Sequence, residues 1–234
     1  MYKVADLFVD IPAAGGMATR CVEYHCESSR EADIVIRDEL YRDNVWSTQN
    51  KELVCYMESG EQFHAALLKH QGLMLHSSAV EWQGKAYLFS GPCGMGKSTH
   101  TRLWQQVYGE AAQVFNDDKP ALRYPEGKWY AYGTPWCGKD GINQNKKVPL
   151  AGICFLKRGE ENAIRQLSPE EAVSRIISQT MRRLRKAENL LRMLEHTERL
   201  VKDIPVFELH CKADQDAAIL SSTTMKQKAE EMGL

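Results

Sequence analysis

Gly91, Gly96, Lys97 and Ser98 stand in "GPCGMGKST" at the spacing G-x-x-x-x-G-K-[ST] of a phosphate loop. Ordinary residue frequencies give that match by accident in roughly one chain in a hundred of this size. The chemistry asked of each residue is specific. Glycines, here Gly91, Gly94 and Gly96, let the backbone wrap close to phosphate oxygens. The loop N–H groups and the first turn of the following helix, at Lys97, Ser98 and Thr99, point at an anion. Lys97 would reach the β- and γ-phosphates of a nucleotide, and Ser98 would ligate Mg²⁺.

A phosphate loop by itself implies nucleotide binding only. Phosphoryl transfer also needs an acid near the metal and, for a hydroxyl acceptor, a group that takes its proton. "VFNDD" supplies two carboxylates, Asp117 and Asp118, at the end of an apolar run. On a regular strand adjacent side chains face opposite ways, so a turn after the strand must bring both into one site. The same letters, "NDDKP", also suit a plain turn.

These residues need particular elements beneath them. "KAYLF" before the loop reads as a buried strand and "STHTRLWQQVY" after it as a helix, the context the motif requires. "GLMLHSSAVEWQGKAYLFSG" reads as strands turning at Gln83-Gly84. "PLAGICFLKRG" and "PVFELHC" read as further strands. Ser168, Pro169 and Glu171 form a helix-start signature. The helical pattern that follows includes Leu184, Leu190, Leu191 and Leu194 as its apolar side, with Arg182, Arg183, Arg185 and Lys186 as a wet face. In residues 1–70, "YKVADLFVDI", "CVEYHC" and "ADIVIRD" read as strands and "FHAALLKHQ" as a short helix. The expected organisation is a strand-rich segment over 1–70 packed on a catalytic domain over 71–234. Strands and helices mix without strict alternation, which predicts an α/β fold around a mixed sheet.

Composition narrows the partners. The 234 residues carry a formal net charge of −1 and the isoelectric point is about 6.7, which gives no support to nucleic-acid binding. No apolar run approaches the ~18 residues of a membrane span. Acidic residues interrupt the N-terminal stretch where a signal peptide would be apolar. Seven cysteines, an odd number without a C-x-x-C pair, read as thiols. A cytoplasmic protein, possible as a homo-oligomer, is the expectation.

The segment "LHSSAV…GKAYLFSGPCGMGKSTHT…VFNDDKPAL" resembles the catalytic core of the HPr serine kinase/phosphorylases and, more distantly, the phosphoenolpyruvate carboxykinases. The resemblance is good over about residues 70–125 and loose elsewhere. It implies a mixed-sheet nucleotide-binding domain using ATP and Mg²⁺. It further implies Asp117 as base toward a serine hydroxyl with His76 of "LMLHSSAV" assisting, Lys97 on the transferring phosphoryl group, and Asp118 with Ser98 nearer the metal. Placed beside Asp117 in this way, His76 would be favoured in its charged form. The family's later metal-associated acid falls about where Thr134 or Trp136 stands. The loop "GTPWCGKDGINQNKK" would then face the acceptor, with Thr134, Trp136 and Lys139 as substrate candidates and Trp136 covering an acceptor or an adenine. The chain looks more like shorter stand-alone kinases, which phosphorylate serine in a peptide, protein or small molecule. Carboxykinase-type transfer and a non-catalytic ATP-binding module are the alternatives. The first demands carboxylate-binding arginines that the sequence does not single out, and the second has no use for a proton acceptor.

Overall fold

A computed structural model describes residues 1–13, 16–40, 51–180 and 186–234. It shows a mixed α/β architecture. The N-terminal part opens with β1 (Tyr2–Val4) and β2 (Leu7–Asp10), followed by α1 (Gly16–Arg20), β3 (Ile34–Val35) and α2 (Lys51–Leu67). The main body holds β4 (Gly72–Met74), β5 (Ser77–Trp82), β6 (Lys85–Ser90), α3 (Lys97–Tyr108), β7 (Ala112–Asp118), β8 (Ala121–Arg123), β9 (Tyr130–Tyr132) and β10 (Lys147–Arg158). It closes with β11 (Ala163–Gln166), α4 (Pro169–Gln179), α5 (Ala187–Asp203), β12 (Val206–Cys211) and α6 (Gln215–Glu231).

Among the described residues, a nine-stranded sheet runs β4-β8-β9-β10-β6-β5-β7, with β12 and then β11 joined beside β10. The strand β10 pairs parallel with β6 and β12 but antiparallel with β9. The sheet is therefore mixed, as the irregular order of sequence signals predicts. Successive residues of β6 alternate between its two faces. Ala86 and Leu88 pack into a core with Ala172 and Ile176 of α4 and Met193 and Leu200 of α5. Tyr87 and Phe89 pack into another with Trp104 of α3 and Met225 of α6. Fully burying side chains of this size contributes ~1.5–3 kcal/mol each, which holds α3 against the sheet.

Local chemistry sets the turns. Gln83 and Gly84 adopt φ of 52° and 72° between β5 and β6, the double positive φ that closes a two-residue hairpin. The Ser168 side chain accepts from Glu171 N–H while Glu171 caps back, a complete capping box at α4.

The N-terminal part differs from the sequence expectation in kind. "YKVADLFVDI" is a hairpin, turning at Ala5 and Asp6 with φ of 52° and 62°. "CVEYHC" contains a short 3-10 turn, not a strand, with Tyr24 buried and Val22 exposed. The longest described element of this part is the 17-residue helix α2. It packs its Phe63 and Leu67 into a core shared with the N-terminal strands, Tyr132 and Trp136. On α5 the inward stripe is Asn189, Met193, Thr197 and Leu200, so Leu190 and Leu191 are exposed and not the apolar side. Packing on the sheet picks the stripe that reaches it, whatever the count of leucines. Leu184 and the basic residues Arg182, Arg183 and Arg185 lie outside the described residues.

Candidate active site

Sheet register assembles the site. β5 lies between β6 and β7 and is antiparallel to both. Ser77 pairs with Ser90 on one side and with Asp118 on the other. The residue before β5 is His76, the residue after β6 is Gly91, and β7 ends at Asp118, so all three reach one edge of the sheet. His76 sits at a bend between β4 and β5 and not within a strand. Its backbone N–H donates to Gln179 O at 2.9 Å and its carbonyl accepts from Ser90 Oγ at 2.8 Å.

The glycine loop leads directly into α3. Gly96 precedes the helix at φ 97°, a conformation that a residue with a Cβ rarely adopts. Thr101 Oγ1 and Ser78 Oγ lie 2.9 Å apart and tie the first turns of α3 to β5. Lys97 is buried, and its Nζ donates to the loop's own carbonyls at Gly91 (3.0 Å) and Pro92 (3.2 Å). Burial lowers the pKa of its ammonium, and the nearby Asp118, Cys93 and Asp117 oppose that shift. Thr99 is exposed. With Gly94 and Gly96 it lines a cavity of about 420 Å³ between α3 and the ends of β10 and β12, rimmed by Arg158 and Lys212.

Both carboxylates at the end of β7 enter the site, because Asp118 takes a φ of 111° and turns the chain. Their partners are the reverse of those the resemblance implies. Ser98 Oγ donates to Asp117, at 2.8 Å from Oδ2 and 3.0 Å from Oδ1. His76 Nε2 instead faces Asp118 Oδ1 at 3.3 Å. Asp118 Oδ2 also accepts a short hydrogen bond from Tyr56 Oη and lies 3.4 Å from Lys119 Nζ. On its far side, His76 Nδ1 lies 3.2 Å from Gln179 Oε1.

The charge state of His76 also departs from expectation. Its pKa is lowered, first by burial and then by Lys97, and the opposing pull of Asp118 does not restore it. The neutral imidazole is thereby favoured, and its single N–H can serve either Gln179 Oε1 through Nδ1 or Asp118 Oδ1 through Nε2. Burial and the Asp118 charge raise the pKa of Tyr56, which therefore remains a hydrogen-bond donor.

The three loop candidates separate. Trp136 is fully buried, stacked on Phe63 with centroids 4.5 Å apart, and its indole N–H donates to Ser59 Oγ at 3.0 Å. It packs the interior and covers no cleft. Thr134 is also buried; its Oγ1 donates to Lys119 O at 2.7 Å and accepts from Trp136 N–H. It fastens the loop behind the acidic pair. Lys139 alone is exposed, on the wall of a cavity that Asp118 also lines. Sequence reasoning missed Tyr56, Gln179 and Lys119. Lys119 stood next to the acidic pair and was legible; Tyr56 and Gln179 arrive from distant helices and carried no local signal.

A family model described as "SynChlorMet cassette protein ScmC" matches residues 44–216, well over half of the chain. The chain belongs to the ScmC family. No curated protein matches this ScmC-family chain. Among solved structures, the HPr(Ser) kinase/phosphatase from Coxiella burnetii is similar at 10% identity and a TM-score of 0.40, over 69% of this chain and 99% of that one. So distant a likeness adds nothing to the chemistry of the site. No helix among the described residues is long and apolar enough to cross a membrane.

Proposed function

We propose that this protein is an ATP-dependent kinase that transfers the γ-phosphoryl group to a serine-type hydroxyl, with Asp118 as the base and Asp117 on the metal side. The observation that carries this reading is the division of the two carboxylates. Asp117 is hydrogen-bonded to Ser98 of the glycine loop. Asp118 is backed by a neutral histidine. A module that only bound nucleotide would have no use for the second arrangement.

The residues fit the groups the reading requires. Ser98 Oγ and the Asp117 carboxylate are adjacent hard oxygen donors, the set that Mg²⁺ takes. Bound there, the ion neutralises charge on the β- and γ-oxygens. Lys97 would exchange its loop carbonyls for phosphate oxygens. The cavity beside Thr99 gives the nucleoside a place next to the loop.

In the transfer, the acceptor oxygen bonds to the γ-phosphorus as that atom's bond to the bridging oxygen breaks. ADP leaves with the electron pair. The acceptor's proton passes to Asp118, and His76 Nε2 can take it onward. Tyr56 and Lys119 hold the Asp118 carboxylate in place meanwhile. Transfer of label from γ-labelled ATP to seryl acceptors tests the reading. Lys97→Ala should weaken Mg·ATP binding ~10- to 100-fold, the loss of one charge-assisted contact. Undiminished binding by that variant, or no transfer to any hydroxyl acceptor, would count against the proposal.

A further inference from the structure

We infer that the N-terminal elements α1 and α2 build the acceptor pocket, and that Arg20 and Lys139 select a hydroxyl compound bearing a carboxylate. The inference rests on the phosphoryl-transfer reading. A cavity of about 460 Å³ opens beside Asp118, and its walls include Met17, Arg20, Glu52, Tyr56 and Lys139. That volume lies within the ~300–1,000 Å³ usual for small-ligand sites. The remaining side of Asp118 faces His76, so one carboxylate belongs to both the cavity and the proton-accepting chain.

Arg20 and Lys139 share the cavity wall with two carboxylates, Glu52 and Asp118, and Asp118 is already offset by Lys119 at 3.4 Å. Among the described residues, no carboxylate lies within ion-pair distance of Arg20 or Lys139. The Arg20 guanidinium lies over the Tyr56 ring, 4.7 Å from its centroid. That stacking holds a planar fork with its donors available, the geometry that reads a carboxylate.

Tyr56 also acts as a spacer. Its hydroxyl holds Asp118 while its ring face holds Arg20. The proton acceptor and the carboxylate reader are thus about one tyrosine ring apart. That span suits a hydroxyl and a carboxylate separated by a few bonds, as in a free hydroxy amino acid or in a seryl residue next to an acidic one. A positively charged acceptor would meet Arg20 and Lys139, neither of which is held in an ion pair among the described residues.

Binding and transfer, measured on the full chain with the same probes, test this. One pair is a seryl peptide flanked by glutamates and its lysine-flanked counterpart. The other is L-serine and L-serinamide. Calorimetry with Mg²⁺ and a non-hydrolysable ATP analogue should show at least a tenfold preference for the carboxylate-bearing member of a pair. The pair that shows it distinguishes a peptide from a small-molecule source. Lys139→Glu, at an exposed position that does not endanger folding, should abolish the preference, and Arg20→Glu should reverse it. Equal affinity within both pairs, no binding of any probe, or a preference unchanged in Lys139→Glu overturns the inference. Charge-selective binding without phosphoryl transfer would retain the pocket and refute the kinase reading. Transfer without charge selection would retain the kinase and refute the pocket.

Discussion

Replacing Asp118 with Asn removes a negative charge and a proton acceptor while keeping the side chain's shape. Asn is among the few residues that tolerate positive φ, so the backbone at 111° should hold. The amide oxygen can still accept from Tyr56, and the amide nitrogen can donate to His76 Nε2, which keeps the neighbours in place. What disappears is the base. A positioned general base contributes ~10²–10⁴-fold, equal to about 3–5 kcal/mol of barrier at 1.36 kcal/mol per decade. Label-transfer rates for Asp118→Asn should fall by that factor at every Mg²⁺ concentration, with Mg·ATP affinity by calorimetry close to wild type. Asp117→Asn should behave differently. Its amide oxygen can still accept from Ser98, but a charge beside the metal site is gone, so the Mg²⁺ needed for half-maximal transfer should rise about tenfold or more. Rates should recover substantially at saturating Mg²⁺. Suppose instead that Asp117→Asn is dead at all Mg²⁺ concentrations with intact nucleotide binding, and that Asp118→Asn transfers normally. The Ser98–Asp117 and His76–Asp118 pairings would then not decide the roles, and the original assignment from resemblance would stand.

Two further predictions concern stability. Trp136→Ala should cost ~3–5 kcal/mol, the loss of a buried aromatic stacked on Phe63, and should lower the melting temperature by roughly 6–20 °C; an unmoved transition would mean that Trp136 faces a ligand after all. His64 is buried, accepts from Met74 N–H at 3.0 Å, and has its pKa pushed down to about 4, chiefly by desolvation. Its folded pKa lies below its unfolded one, so the stabilising contribution is fully present above pH ~6.5 and is lost as pH falls toward 4, by up to about 3 kcal/mol. Denaturant unfolding across that window should show the slope, and His64→Leu should flatten it even if the variant is less stable throughout.

The phosphate-loop pattern, the strand before it and the helix after it were legible because each is a local device. Glycine conformations, capping residues and alternation of apolar side chains act within a few residues. The two acids and the histidine were legible as candidates for the same reason: only some residue types can bind metal or accept protons. Which acid meets which partner was not legible. Adjacent residues on one strand differ only in the face they take, and that is settled by the β5–β7 register and by the turn at Asp118. The charge of His76 was misjudged from sequence because it depends on burial and on Lys97, contributed by a different element. Trp136 read as a ligand cover because its loop is rich in glycine, yet α2 delivers Phe63 and Ser59 to it from more than 70 positions away. Tyr56 and Arg20 joined the site by the same packing of α1 and α2 against the main body. Composition and motif therefore determined which residue types the candidate site could draw on. Long-range packing decided which side chains share the cavity, because burial, register and charge proximity arise only when distant segments meet.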